Sequence, residues 1–327
     1  MEPSKVFISS TKGRDLQQVV DELLDRCNVD QIVHPGALVV IKPNFGCADL
    51  ERLYCNTSLA VVEAVCRRLL KRTDRIVIGE SDGMRDSADK AFQAMGADKM
   101  AKRLGVKLVN FSRDELVPLP NETLGTWYLS RTLLNADVFI TLPIMKTHPR
   151  SVLTGALKNQ WGCLPQHDRI ILHKHLSRLL VDVHKVKKPG ICLMDAVEAM
   201  EGRGPSNGQM VRLDLLLAST DPVALDATAM RLGGLDPYRS EVAVLAAREG
   251  VGHLDEKDID VTSPVSLPVR RLRPAEMDWA MRLLDMVSSS RFLTPHVILN
   301  DTLFYPARWA VNVVRRTLAF ATGKSTP

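Results

Sequence analysis

Short apolar runs rich in β-branched residues, alternating with stretches of helical spacing, limit what this chain can fold into more than any other feature. Val6–Ser9, Leu38–Ile41, Ile76–Gly79, Leu108–Phe111, Val138–Leu142, Ile191–Asp195 and Leu213–Ala218 read as strands. Asp15–Cys27, Leu59–Arg72, Ala88–Arg103 and Arg169–Lys187 read as helices. In the second of these, Val62, Val65, Leu69 and Leu70 recur at helical spacing, and Thr57 or Ser58 stands where a cap is needed. Asp221-Pro222 starts a further helix, with an acceptor at the cap and proline in the first turn. The run that follows, Val223 to Leu232, is apolar almost all round and so is marked for burial. Strands interleaved with helices predict an α/β fold: a largely parallel or mixed sheet covered by helices, with a C-terminal helical appendage.

With 327 residues, 45% of them hydrophobic, the chain can fill one large core or two lobes meeting near residues 143–165. The expected division is an α/β domain over 1–265 and a basic amphipathic tail over 266–327. Ser263–Pro274, with its prolines and arginines, reads as the linker between them. The tail holds nine Lys plus Arg against four Asp plus Glu, which accounts for the whole net charge of +5. A formally neutral body lacks the basic stripe of a nucleic-acid-binding domain, so no nucleic-acid partner is expected. No signal peptide or bilayer-spanning run is evident, which predicts a cytoplasmic protein, peripheral on a membrane if the tail binds lipid. The six cysteines (Cys27, Cys47, Cys55, Cys66, Cys163, Cys192) show no C-x-x-C pairing. That argues against a zinc site or a local iron–sulfur cluster and for reduced thiols. Cys27 and Cys66 sit among apolar residues as small core hydrophobes.

Open α/β sheets hold ligands beyond the carboxyl ends of their strands. Pro143–Pro165 begins where the run Val138–Leu142 ends, and it packs Lys146, His148, Lys158 and Asn159 into little space. Lys42-Pro43-Asn44 follows another strand, with proline fixing the turn. Glu80-Ser81-Asp82-Gly83 and Asp195 occupy equivalent places. Polar strand ends also simply meet solvent, so each alone has an ordinary explanation; together they suit a small anionic ligand, a carboxylate or phosphate. In that reading Lys42, Lys146 and Lys158 hold the anion and Asn44 and Asn159 orient it. His148 transfers a proton, with Asp82 or Asp195 as its orienter. Lys158 and Lys146 join His148 as catalytic candidates, because a lysine beside a second cation can lose its proton and act as a base. His173 and His175, two apart on a helical stretch, point in different directions and do not chelate together; His173 is the one assigned to the cleft. Gly202 and Gly204, in the flexible-looking loop Gly202–Gly208, join the ligand-binding set. Gly202-x-Gly204 lacks the strand–turn–helix setting of a dinucleotide fingerprint. Asp195 and Glu198 supply oxygens suited to a divalent cation, the one cofactor these residues suggest.

Ala307 to Ala321 draws a helical wheel with Arg308, Asn312, Arg315 and Arg316 on one arc and Trp309, Val311, Val314 and Leu318 among the remainder. Residues 303–321 therefore suit an anionic membrane surface or a protein partner, and equally a helix packed on this chain's own body.

These residues resemble a known family, catalogued as domain of unknown function 362. Its members show a strand ending in Lys-Pro-Asn, matched by Lys42-Pro43-Asn44, and a Gly-Glu strand end, matched by Gly79-Glu80. A Lys-Thr-His segment running into Thr-Gly-Ala-Leu-Lys-Asn and Gly-Cys-x-Pro is matched by Lys146-Thr147-His148, Thr154 to Asn159 and Gly162 to Pro165. Asp195 to Gly208 and Asp221 to Ala227 complete a resemblance over about residues 36–236. The resemblance implies a shared ligand pocket at strand ends and glycine turns, with no general reaction attached to the family. Many members carry an appended ferredoxin-type iron–sulfur domain; this chain has a basic tail there instead. Three classes of function stand: an enzyme acting on an anionic small molecule, a non-catalytic or iron–sulfur-related redox accessory protein, and a membrane-surface or partner-binding protein acting through its tail.

Overall fold

The computed structural model describes residues 2–84, 86–121, 125–166, 168–202, 204, 208–277 and 279–288, with ten further positions between 290 and 314. Of the tail wheel, only Val313 and Val314 are among them; Arg308, Trp309, Val311, Asn312, Arg315, Arg316 and Leu318 lie outside the described residues. The chain divides into a unit of Met1–Gln166 with His175–Glu276, and a second of His167–Lys174 with Met277–Pro327.

The first unit is built on ten strands: β1 (Ser4–Ser10), β2 (Val39–Pro43), β3 (Ile76–Glu80), β4 (Lys107–Asn110), β7 (Val138–Leu142), β8 (Ile144–His148), β9 (Val152–Thr154), β10 (Ile191–Glu201), β11 (Gln209–Ser219) and β12 (Ile259–Thr262). β5 (Leu116–Asn121) and β6 (Gly125–Ser130) pair separately as a two-stranded sheet. The main path runs β12-β1-β11-β10-β7-β2-β3-β4, parallel except where β11 runs against β1 and β10. The expected mixed, mostly parallel sheet covered by helices is what forms.

Strand periodicity explains the two cores. On β10, Ile191 and Leu193 face one layer while Cys192 and Met194 face the other, and Leu216 and Leu217 split the same way on β11. The first layer is closed by the helices Leu16–Arg26, Leu59–Leu69, Ala88–Met95 and Ala97–Leu104. The second is closed by Leu176–Val186, Pro222–Leu232 and Glu241–Arg248. Burial on both faces is why these strands read as continuous apolar runs.

Pro143 separates β7 from β8 and shapes the edge where the candidate residues lie. β10 pairs first with β7 (Ile191↔Ile140) and then with β8 (Met200↔Lys146), while the Pro143 carbonyl accepts the Asp195 amide at 2.8 Å. β8 is thereby carried beyond the carboxyl end of β7 before turning back as β9. Two expectations need adjustment. Ala88–Arg103 is two helices, broken where Gly96 takes a φ of +75° that a residue with a side chain seldom adopts. Ser263–Pro274 is no free linker: Leu272 is buried and its amide donates to the Gly233 carbonyl, while Arg273 pairs with Glu201 at 3.0 Å.

Candidate functional site

Lys42, Asn44, Lys146 and Asn159 meet at the carboxyl ends of β2, β7 and β8. Register brings them there: Lys42 lies directly beside Thr141 on β7, and Pro43 beside Leu142. Lys42 is fully buried, and its ammonium donates to Glu80 (2.7 Å), to the Pro43 carbonyl (2.9 Å) and to Asn159 Oδ1 (3.4 Å). Asn159 Nδ2 donates to Thr141 Oγ1 at 2.9 Å and to the Lys42 carbonyl at 3.2 Å. Asn44 Nδ2 donates to Asn159 Oδ1 at 2.9 Å, and Asn44 Oδ1 accepts from Lys146 at 2.9 Å. Two amides thus join two lysines in one network, and around Lys42 every donor finds an acceptor, as burial demands.

Lys146 differs. Its Nζ, nearly buried, reaches Asn44 Oδ1 and the Cys55 carbonyl, both at 2.9 Å, and no carboxylate among the described residues pairs with it. Two acceptors serve three N–H donors. Burial lowers its pKa from the ordinary lysine value.

Local structure holds this edge in place. Thr57 Oγ1 donates to the Leu142 carbonyl (2.7 Å) and accepts the Asn44 amide (2.9 Å), tying the loop after β2 to β7. The turn Ala156–Asn159, which presents Asn159, is anchored by Asp226: its carboxylate accepts the Ala156 and Leu157 amides at 2.6 and 3.0 Å, and burial pushes its pKa up to about 7. Gly162 is required sterically, since a Cβ there would lie 2.1 Å from Glu80 Oε1 and 2.7 Å from Lys42 Nζ. Gly204 approaches β8 as closely; its Cβ would sit 1.8 Å from the Thr147 carbonyl. Gly202 has a φ of +80°, and its carbonyl accepts from Thr147 Oγ1 at 3.5 Å.

The remaining sequence-derived residues are placed as follows. His148 lies two positions beyond Lys146 on the same face of β8 and is buried. Its Nδ1 accepts the Arg150 and Ser151 amides (3.1 and 3.3 Å), which puts the proton of the neutral ring on Nε2. In the hairpin behind it, Val152 has a φ of +66°, a costly conformation for a β-branched residue. Lys158 is adjacent to Asn159, but its ammonium lies over the Trp161 ring, 5.8 Å from the centroid. Asp82 holds Asn110 (2.7 Å) and the Ala88 amide (2.9 Å) at the β3–β4 edge, a structural duty away from the lysine network. His173 belongs to the 3-10 segment Arg169–His175, in the second unit.

Asp195 and Glu198 line a cleft of about 450 Å³ together with Arg14, Tyr54, Asn56 and Ser58. Asp195 is already engaged by backbone: its carboxylate accepts the Ser58 amide at the start of Leu59–Leu69 (2.9 Å) and the Val197 amide (3.1 Å). No group of three or more His, Cys, Asp or Glu among the described residues is placed to hold a metal ion. Burial pushes the Asp195 pKa from 3.8 up to about 6. Between those values the folded chain keeps a proton that the unfolded chain has lost, so stability drains away as pH rises through that window. The stability advantage of the wild type over Asp195→Asn is expected to shrink by about 2 kcal/mol between pH 4 and pH 8 in urea titrations. A difference that does not change with pH refutes the assignment.

Sequence reasoning located the lysines and amides from strand ends but passed over Thr141 and the Cys55 carbonyl. Thr141 had a visible signal, a lone hydroxyl inside the apolar run Val138–Leu142. A backbone carbonyl has none.

The fold and this edge define an α/β protein with a buried lysine–amide network at its strand ends. The chain belongs to the family described as Domain of unknown function (DUF362), matched over residues 39–231. It is similar to the thylakoid-associated protein sll1697 of Synechocystis sp., with 29% identity over 243 residues, covering 72% of this chain and 74% of that protein. Among solved structures it is similar to the lactate racemase apoprotein of Thermoanaerobacterium thermosaccharolyticum (TM-score 0.47, 10% identity, 72% of this chain and 58% of that one). A Thermotoga maritima protein is similar too (TM-score 0.43, 12% identity, 71% of this chain and 59% of that one). The chain thus spans less than two thirds of either solved structure.

Proposed function

We propose that this chain is an enzyme that binds an anionic small molecule, a carboxylate or phosphate, over the carboxyl ends of β2, β7 and β8. Lys146 is its principal charged contact. The observation that supports this is the unfilled hydrogen-bonding capacity of Lys146: a buried ammonium with two acceptors and, among the described residues, no carboxylate is completed by an anionic oxygen. Lys42 is neutralised by Glu80 and positions the amides; it is not the anion's partner. With its pKa lowered by burial, Lys146 gives up a proton more readily than an exposed lysine, so it serves as both anchor and acid–base group, with His148 on the same strand face as the second proton carrier.

The test is a thermal-shift and calorimetric titration with inorganic phosphate, acetate and citrate. Lys146→Met keeps the stem and removes the charge, and it is expected to weaken binding about 10- to 100-fold, as the loss of a hydrogen bond to a charged group predicts. Lys158→Met, over the Trp161 ring, is expected to cost less than about threefold. Equal affinities in wild type and Lys146→Met refute the assignment.

A second reading is favoured by the thylakoid association in the name of the Synechocystis relative and by the tail's arginine arc. No helix among the described residues is long and apolar enough to cross a membrane. Attachment would then be through residues 303–321 lying on an anionic lipid surface. Reversing Arg308, Arg315 and Arg316 to glutamate in the full chain is expected to reduce co-sedimentation with phosphatidylglycerol vesicles by about 100-fold, from roughly 1 kcal/mol per arginine. Unchanged sedimentation removes this reading.

A further inference from the structure

Cys47, in the loop after β2, and Cys55, ending the 3-10 segment Leu50–Cys55, pack together in a small cluster with Met200 and Met210. All six cysteines are buried, Cys47 at 7% exposure being the most accessible of them, and the other four are not part of this cluster. Asn56 clasps the Cys47 backbone in both directions, its Oδ1 accepting the Cys47 amide (3.1 Å) and its Nδ2 donating to the Cys47 carbonyl (2.7 Å). The pair adjoins Lys146, which donates to the Cys55 carbonyl.

We propose that Cys47 and Cys55 form a reversible disulfide by exchange with a low-molecular-weight disulfide, making the loop 47–55 a redox-modified wall of the Lys146 site. Packed together in this cluster, the two thiols shift one another in opposite directions, Cys47 below its ordinary pKa and Cys55 above it. Cys47 is therefore the attacking thiolate and Cys55 the resolving thiol. The Cys47 thiolate attacks one sulfur of R–S–S–R, forming a mixed disulfide and expelling RS⁻. Cys55, its proton passed to that RS⁻, attacks Cys47 Sγ and expels the second RS⁻, which takes up the proton Cys47 had released. The protein dithiol is oxidised by two electrons and the small disulfide is reduced to two thiols. Oxidation removes a negative charge from the neighbourhood of Lys146, a consequence for anion binding that rests on the proposed anion site; the bond itself does not.

The experiment treats the purified full chain with glutathione disulfide, quenches with N-ethylmaleimide in denaturant, and reads intact mass and peptide maps. The reduced chain has six cysteines to alkylate. The treated chain is expected to take up two fewer maleimides, with Cys47 and Cys55 in one cross-linked peptide, and dithiothreitol should restore both. Cys55→Ser is expected to stall as a glutathione adduct on Cys47. Full alkylation after treatment, a bridge between other cysteines, or a lasting glutathione adduct on wild-type Cys47 overturns the proposal, whatever the outcome of the phosphate titrations.

Discussion

Replacing Glu80 with alanine is expected to destabilise the fold by about 3–5 kcal/mol, the usual cost of removing one partner of a buried ion pair. Lys42 and Glu80 are both nearly inaccessible, so the ammonium left behind has no water to replace the carboxylate. The loss extends further, because Glu80 also accepts the Phe45 amide at 3.2 Å and the Ser81 amide at 3.0 Å. Urea titration of Glu80→Ala and of the double variant Lys42→Met, Glu80→Leu separates the pair's contribution from that of the carboxylate's own bonds. The double variant is expected to recover a large part of the loss, since no unpaired charge remains. A cost below about 1 kcal/mol for Glu80→Ala, as for a surface pair, contradicts the burial argument.

Asp221→Ala is expected to cost about 3–5 kcal/mol, the sum of a lost helix cap and several orphaned donors. One oxygen accepts the Val223 and Ala224 amides at 2.8 and 3.0 Å, starting Pro222–Leu232. The other accepts the Ser4 hydroxyl at 2.6 Å and the His253 amide at 2.8 Å. One carboxylate therefore joins β1, the loop before β12 and a helix buried at every position but Arg231. The glycine at 252 makes room for it, as a Cβ there would lie 1.9 Å from the carboxylate. Asp221→Asn keeps one acceptor and is expected to recover roughly half of the loss. If Asp221→Ala unfolds at the same urea concentration as wild type, the carboxylate does not hold these elements together.

The seven strands foreseen from the sequence all form; β2, β3 and β7 are buried along their whole length and so read as apolar runs, whereas the edge strand β4 is half-buried and was marked by Leu108 and Val109. The strands that escaped notice failed that test for physical reasons. β8 is Ile-Met-Lys-Thr-His, every residue of it buried. Its polar half is kept dry by hydrogen bonds, not by apolar chemistry, so hydropathy alone does not mark it. β5 carries two prolines and pairs only with β6, and β9 is three residues long. The site was legible to the extent that strand-end position decides it: Lys42, Asn44, Lys146 and Asn159 share one network. Asn159 turns into the network, while the ammonium of its neighbour Lys158 lies over Trp161. Asp195, a candidate cation ligand by residue type, accepts the amide at the start of a helix, a contact that residue type does not announce. Which side chain points where is set by helical rotation and backbone register, and a linear motif does not record either.

Lysine side-chain NMR during a phosphate titration reports most directly on the anion site, with Lys146→Met used to assign the resonance. The Lys146 signal is expected to move saturably and in step with the calorimetric binding curve. A Lys146 signal that stays fixed while other lysines drift with phosphate concentration would mean that the anion meets only the surface, and the strand-end site would have to be abandoned.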